Sequence, residues 1–114
     1  MKLFSLVLGC FLLSTSMAQA NTTVVSWYGK HWSGRKTANG ERFNPHKFTA
    51  ASKTLPMGTR VLLTLGKHHV IVRINDRGPY VRGRGLDISE HAARVLQIRN
   101  KGVARVTYKI LASK

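Results

Sequence analysis

Thr59-Arg60-Val61-Leu62-Leu63-Thr64-Leu65, then Gly66-Lys67, then His68-His69-Val70-Ile71-Val72-Arg73-Ile74, is a pair of alternating runs across a short connection. Val61, Leu63 and Leu65 share one face of the first run; Val70, Val72 and Ile74 share one face of the second. A period of two marks half-buried strands, and the glycine-led link makes them a hairpin. The second strand runs straight into Ile74-Asn75-Asp76-Arg77-Gly78-Pro79. A carboxylate there stands at the end of a rigid strand, between Asn75 and Arg77, before Gly78 and Pro79 turn the chain. Functional groups are often carried on loops held by a scaffold. The same residue types also make ordinary turns.

Outward from the hairpin the pattern stays β-like. Thr22 to Tyr28 is rich in β-branched and aromatic residues and predicts a strand. Gly29 to Glu41 is loop, broken by Ser33-Gly34 and by the tight-turn pair Asn39-Gly40. Lys47 to Ser52 is expected to form one short helical turn, ending near Pro56-Met57-Gly58. Leu86-Asp87-Ile88 is a brief strand. Ser89 is a good N-cap with Glu90 in the first turn, so a helix follows and ends near Asn100-Lys101-Gly102. Val103 to Leu111 alternates, with Ala104, Val106, Tyr108 and Ile110 inward. Five or six short strands with one helix predict a mainly β fold, a small closed barrel that leaves no exposed edge.

The first 20 residues read differently. Lys2, the apolar run Leu3 to Leu13 and Ala18-Gln19-Ala20 form a secretory leader, too short to span a bilayer. Cleavage near Ala20 leaves one domain, 21–114. A second reading makes Val7-Leu8-Gly9-Cys10 a lipidation box. Cys10 is the single cysteine, so the exported domain is expected to lack disulfides and to depend on its core. No later run has membrane length. Without Lys2, 18 Lys and Arg oppose 4 Asp and Glu, a net +14. Such a surface draws polyanions. For an exported chain these are anionic envelope polymers rather than nucleic acid.

Four carboxylates remain after the leader, which permits elimination. Glu90 belongs to the helix start, and Asp87, between apolar neighbours, reads as structural. Glu41 and Asp76 are left as loop carboxylates suited to acid/base work. Arg73 and Arg77 favour ionisation of Asp76, so an acid role there requires a partly desolvated pocket; an ionised Asp76 suits a developing positive sugar. His68 and His69 point to opposite faces of a strand, and His31, His46 and His91 are scattered, so no metal or cofactor is expected. Ser52 and Thr54 read as turn residues. Trp27 reads as core, while Tyr28 and Trp32 are expected to form an exposed platform for sugar rings.

Ser26-Trp27-Tyr28-Gly29, Thr37-Ala38-Asn39-Gly40-Glu41-Arg42-Phe43, Thr49-Ala50-Ala51, Thr54-Leu55-Pro56-Met57-Gly58-Thr59, Val72 to Pro79 and Gly85-Leu86-Asp87-Ile88-Ser89 occur in the order of the rare lipoprotein A (RlpA-like) family. The chain resembles that family from about Val24 to Leu111. The resemblance implies a six-stranded double-psi β-barrel and an endolytic peptidoglycan lytic transglycosylase, acting on peptide-free glycan strands. It implies catalytic roles for Asp76 and Glu41. Tyr28, Trp32, Asn39, Asn44, Ser52, Asn75 and Arg77 are the expected substrate contacts. Many members have Asp where this chain has Asn44 and His where it has Ser52, changes that remove a potential base and a potential orienter. The family's C-terminal glycan-binding repeat is expected to be missing, with the basic surface supplying glycan affinity to a monomer. A non-catalytic, expansin-like wall-binding module is the alternative reading.

Overall fold

The computed structural model describes residues 21–113. The leader and Cys10 lie outside the described residues. Six strands form a closed barrel: β1 (Thr22–Tyr28), β2 (Thr49–Ser52), β3 (Thr59–Leu65), β4 (His68–Asp76), β5 (Leu86–Ser89) and β6 (Val103–Ser113). Around the barrel they run β1-β5-β2-β4-β3-β6, with β6 closing onto β1. The hairpin of β3 and β4 pairs Leu65 with His68 across Gly66-Lys67, with Gly66 at φ 62°, as a tight two-residue link requires. Two pairs are parallel, β1 with β5 and β2 with β4; the remaining pairs are antiparallel.

The interior is aliphatic. Val25, Ala50, Val61, Leu63, Val72, Ile74 and Ile88 are fully buried, and the helix α1 (Glu90–Leu96) adds Ala92, Ala93 and Leu96 from outside the sheet. Ser89 caps α1 by accepting from Ala92 N at 3.3 Å. At Gly85 a side chain would collide with Thr23 Oγ1, and Gly85 N donates to Val24 O at 2.8 Å. Glycine there lets β5 enter close beside β1.

Three expectations are corrected. Residues 49–52 are not a helical turn but β2, a strand buried along its whole length. It pairs on both edges, so the ladders override the weak β preference of Thr-Ala-Ala-Ser. The helix stops at Leu96, because Gln97 takes a left-handed conformation and returns its N–H to Ala93 O and Arg94 O. Ile110 is 49% exposed rather than inward, opposite Val61 where the β3–β6 register slips between Arg60 and Val61.

Candidate active site

One wall of the barrel carries the polar residues. Val25, Leu86, Ala50 and Ile74 turn into the core, so their neighbours face outward. Across β1, β5, β2 and β4 the register aligns Ser26 with Asp87, Asp87 with Ala51, and Ala51 with Asp76. Strict alternation would send Asp76 inward with Ile74. The register slip between Ala50 and Ala51 pairs Ala50 with Ile74 but Ala51 with Asp76, and so turns Asp76 to the outer face. Asp76 and Asp87 therefore flank the small side chain of Ala51, two strand spacings apart, about 10 Å between backbones.

Both carboxylates are half-buried and differently held. Asp76 Oδ1 accepts from the backbone N–H groups of Ala38 and Arg77, each at 2.9 Å. Asp87 Oδ1 accepts from Ser26 Oγ at 2.9 Å. Burial pushes the Asp87 carboxyl above the usual carboxylate range; Ser26 and Arg84 oppose that shift, and the charge of Asp76 adds to it. Asp87, assigned above to structure, is thus the carboxyl best suited to hold a proton. Its proximity to Asp76 depends on pairing between strands distant in sequence.

The loop 29–48 folds back over this wall. Glu41 reaches Arg73 on β4 with Nη1 to Oε2 at 2.9 Å and Nη2 to Oε1 at 3.0 Å, and accepts from Asn75 Nδ2 at 3.0 Å. The hydrogen bonds from Arg73, then Asn75, lower its pKa to about 2. Glu41 is therefore an ionised anchor and not a proton donor near neutrality. Asn39 Oδ1 accepts from Thr37 Oγ1 and Glu41 N, at 2.7 and 3.0 Å, and shapes the turn that carries Glu41. Asn44 Oδ1 accepts from His46 N at 2.9 Å. Glu41, Phe43, Asn44, His46, Lys47, Thr49 and Asn75 line a cleft of about 560 Å³ beside the loop. Buried Thr49 Oγ1 and Asn75 Oδ1 have no hydrogen-bond partner.

Other expected contacts fall elsewhere. Tyr28 is not an exposed platform. Its ring stacks on Phe43 at 4.5 Å, and its hydroxyl is buried. The loop that covers it is what the local sequence does not reveal. Trp32 is 42% exposed, with Arg35 over its ring at 4.9 Å. Trp27 packs partly against the core and donates from Nε1 to Arg99 O at 3.1 Å. Buried Ser52 accepts from Thr54 N and Leu55 N at 3.3 and 3.0 Å, stapling the turn after β2. Arg77 Nη1 donates to Ser52 O and Leu55 O, at 3.1 and 2.8 Å, which commits its guanidinium to the frame. Tyr80, four residues past Asp76 and 79% exposed, is an aromatic surface that the sequence reading passed over. Among the described residues no three or more His, Cys, Asp or Glu are grouped to hold a metal ion, and no helix is long and apolar enough to cross a membrane.

A family model described as lytic transglycolase (DPBB_1) matches residues 20–108. A Synechocystis sp. protein named probable endolytic peptidoglycan transglycosylase RlpA is 51% identical over 90 residues, covering 77% of this chain and 28% of that protein. The endolytic peptidoglycan transglycosylase RlpA of Pasteurella multocida is 45% identical over 94 residues, covering 81% and 32%. The chain thus spans less than a third of the length of these relatives. Among solved structures, the Streptomyces papain inhibitor matches with a TM-score of 0.67 at 20% identity, over 82% of this chain and 96% of that one. Apo expansin from Clavibacter michiganensis matches with a TM-score of 0.66 at 18% identity, over 84% and 52%. These two likenesses carry the fold, a double-psi β-barrel.

Proposed function

From the chain's membership of the RlpA-like lytic transglycolase family, we propose that it is an endolytic peptidoglycan lytic transglycosylase, cleaving MurNAc–GlcNAc bonds of peptide-free glycan strands. The observation that carries this reading is the row Ser26–Asp87–Ala51–Asp76, which sets two carboxylates on one barrel face. Asp87, whose carboxyl burial pushes up, holds the pair's proton. It protonates the glycosidic oxygen as the bond to the muramoyl C1 breaks, while Asp76, held by two backbone N–H groups, faces the positive sugar. The muramoyl 6-hydroxyl then attacks C1 and returns its proton to the pair, closing a 1,6-anhydro ring without consuming water. Glu41 holds the covering loop on β4 and contributes fixed negative charge. Exposed Trp32 and Tyr80 offer faces for sugar rings.

The surface cations supply affinity for anionic envelope polymers. The apolar leader supports export to the cell envelope, with removal of residues 1–20 and action as a monomer domain over 21–114. The test is incubation of the exported protein with glycan strands stripped of peptides, with anhydro ends read by mass spectrometry. Anhydro products that vanish in Asp76→Asn are the expected result. Retained pelleting on sacculi without any anhydro end would instead establish the expansin-like binding module.

A further inference from the structure

Tyr28 lies two residues beyond Ser26 on β1, so its side chain leaves the same outer face as the Ser26–Asp87–Ala51–Asp76 row. Its ring is clamped flat on Phe43, with 20° between the planes. Its hydroxyl is buried and has no partner. Phenylalanine would keep the stacking and the shape without stranding a polar group, so packing alone gives no reason for tyrosine. Burial, then the charges of Asp76 and Asp87, hold the phenol far above the ordinary tyrosine range. The group is therefore a permanent O–H donor beside two carboxylates.

We propose that Tyr28 is a positioning residue of the transglycosylase reaction, its buried hydroxyl donating to the Asp76–Asp87 pair while that pair is without its proton. The inference rests on the function proposed above. The pair gives one proton to the leaving oxygen and regains one from the muramoyl 6-hydroxyl; the tyrosine's own proton is never transferred. Between those steps the donated hydrogen bond stabilises the ionised pair and keeps its free oxygen directed at the sugar. Other groups facing the pair are fixed. Ser26 donates to Asp87 from β1, and Arg84 approaches it from the preceding loop. The Ala38 and Arg77 N–H groups hold Asp76. The other two carboxylates of the described residues are engaged elsewhere, Glu41 by Arg73 and Asn75, and Glu90 at the head of α1 by Arg94 and Arg99.

Tyr28→Phe tests this in the full chain by two readouts. Carboxyl ¹³C NMR titration follows ionisation of Asp76 and Asp87 without substrate, and product release from peptide-free strands gives a pH–rate profile. Loss of the donor is expected to move the Asp87 midpoint upward and the acidic limb of the profile with it. Turnover should fall roughly tenfold, the kinetic worth of one hydrogen bond, at unchanged KM. The melting temperature should not fall, since an unpaired buried hydroxyl has been removed. Midpoints and profile coincident with the parent chain would overturn the role of Tyr28 while leaving the activity standing. A parent chain that releases no anhydro ends would overturn the activity, and with it a role in that reaction, whatever the titration shows.

Discussion

Arg73 grips Glu41 with both terminal guanidinium nitrogens, at 2.9 and 3.0 Å, and thereby ties the loop 29–48 to β4. The fork geometry favours the charged carboxylate strongly enough to bring its pKa to about 2. A carboxylate whose pKa is depressed in the folded state stabilises the fold above its unfolded value. That contribution is lost as pH falls from about 4.5 toward about 2. With the Glu41 side chain 40% exposed, solvent screening limits it to about 1 kcal/mol. Glu41→Gln should therefore lower stability by about that amount at pH 7, and the difference from the parent chain should fade as pH drops through about 2. Urea unfolding across this range checks both statements. Turnover should fall less than in either aspartate variant.

Asp87→Asn should reduce anhydro-product formation by about 10²-fold or more, the scale of general acid/base catalysis. Its effect on stability has the opposite sign to that of Glu41→Gln. A carboxyl raised in the folded state gives stability that is present below its unfolded pKa and lost as pH rises through the folded one. The neutral amide should thus be at least as stable as the parent at pH 7, because its oxygen still accepts from Ser26. Calorimetry beside the product assay separates the two effects; a variant both unfolded and inactive would make Asp87 structural.

Arg77→Met should act on the frame. It removes a charged donor from the carbonyls of Ser52 and Leu55, at a cost of about 2 kcal/mol. Denaturant midpoints should shift while the KM of the folded fraction stays unchanged. A raised KM at unchanged stability would return Arg77 to the substrate contacts.

Tyr80→Ala should do the reverse. At 79% exposure its ring supports little of the fold. Loss of a stacking face should weaken glycan binding by about 1–2 kcal/mol, by analogy with aromatic platforms that stack bases. Pelleting on peptide-free strands measures it, and unchanged binding would remove Tyr80 from the glycan contacts.

The hairpin was legible because one face of each antiparallel strand meets solvent: Arg60 and Ile71 are exposed beside buried Val61 and Val72. Strand β2 was not, since Thr-Ala-Ala-Ser is buried throughout and leaves no alternation to read. Asp76 stood out because turn residues surround it. The proximity of Asp87 to Asp76 came from two strand pairings and a bulge, none encoded within a local window. Tyr28 looked exposed beside Trp32 because the strand ends there, yet Phe43, 15 positions on, covers it. Glu41 was recognisable as a functional loop carboxylate, while its capture by Arg73 appears only when the loop crosses β4.

Both neighbours of β1 come from the last third of the chain: β5 begins at Leu86 and β6 at Val103. During synthesis β1 therefore has no ladder partner until β5 has been made. The β3–β4 hairpin can close early, but the barrel must wait for residues separated from β1 by some 60 positions or more. A truncation that removes Val103 onward would leave β1 and β3 each with an open edge and the row Ser26–Asp87–Ala51–Asp76 without a closed barrel behind it.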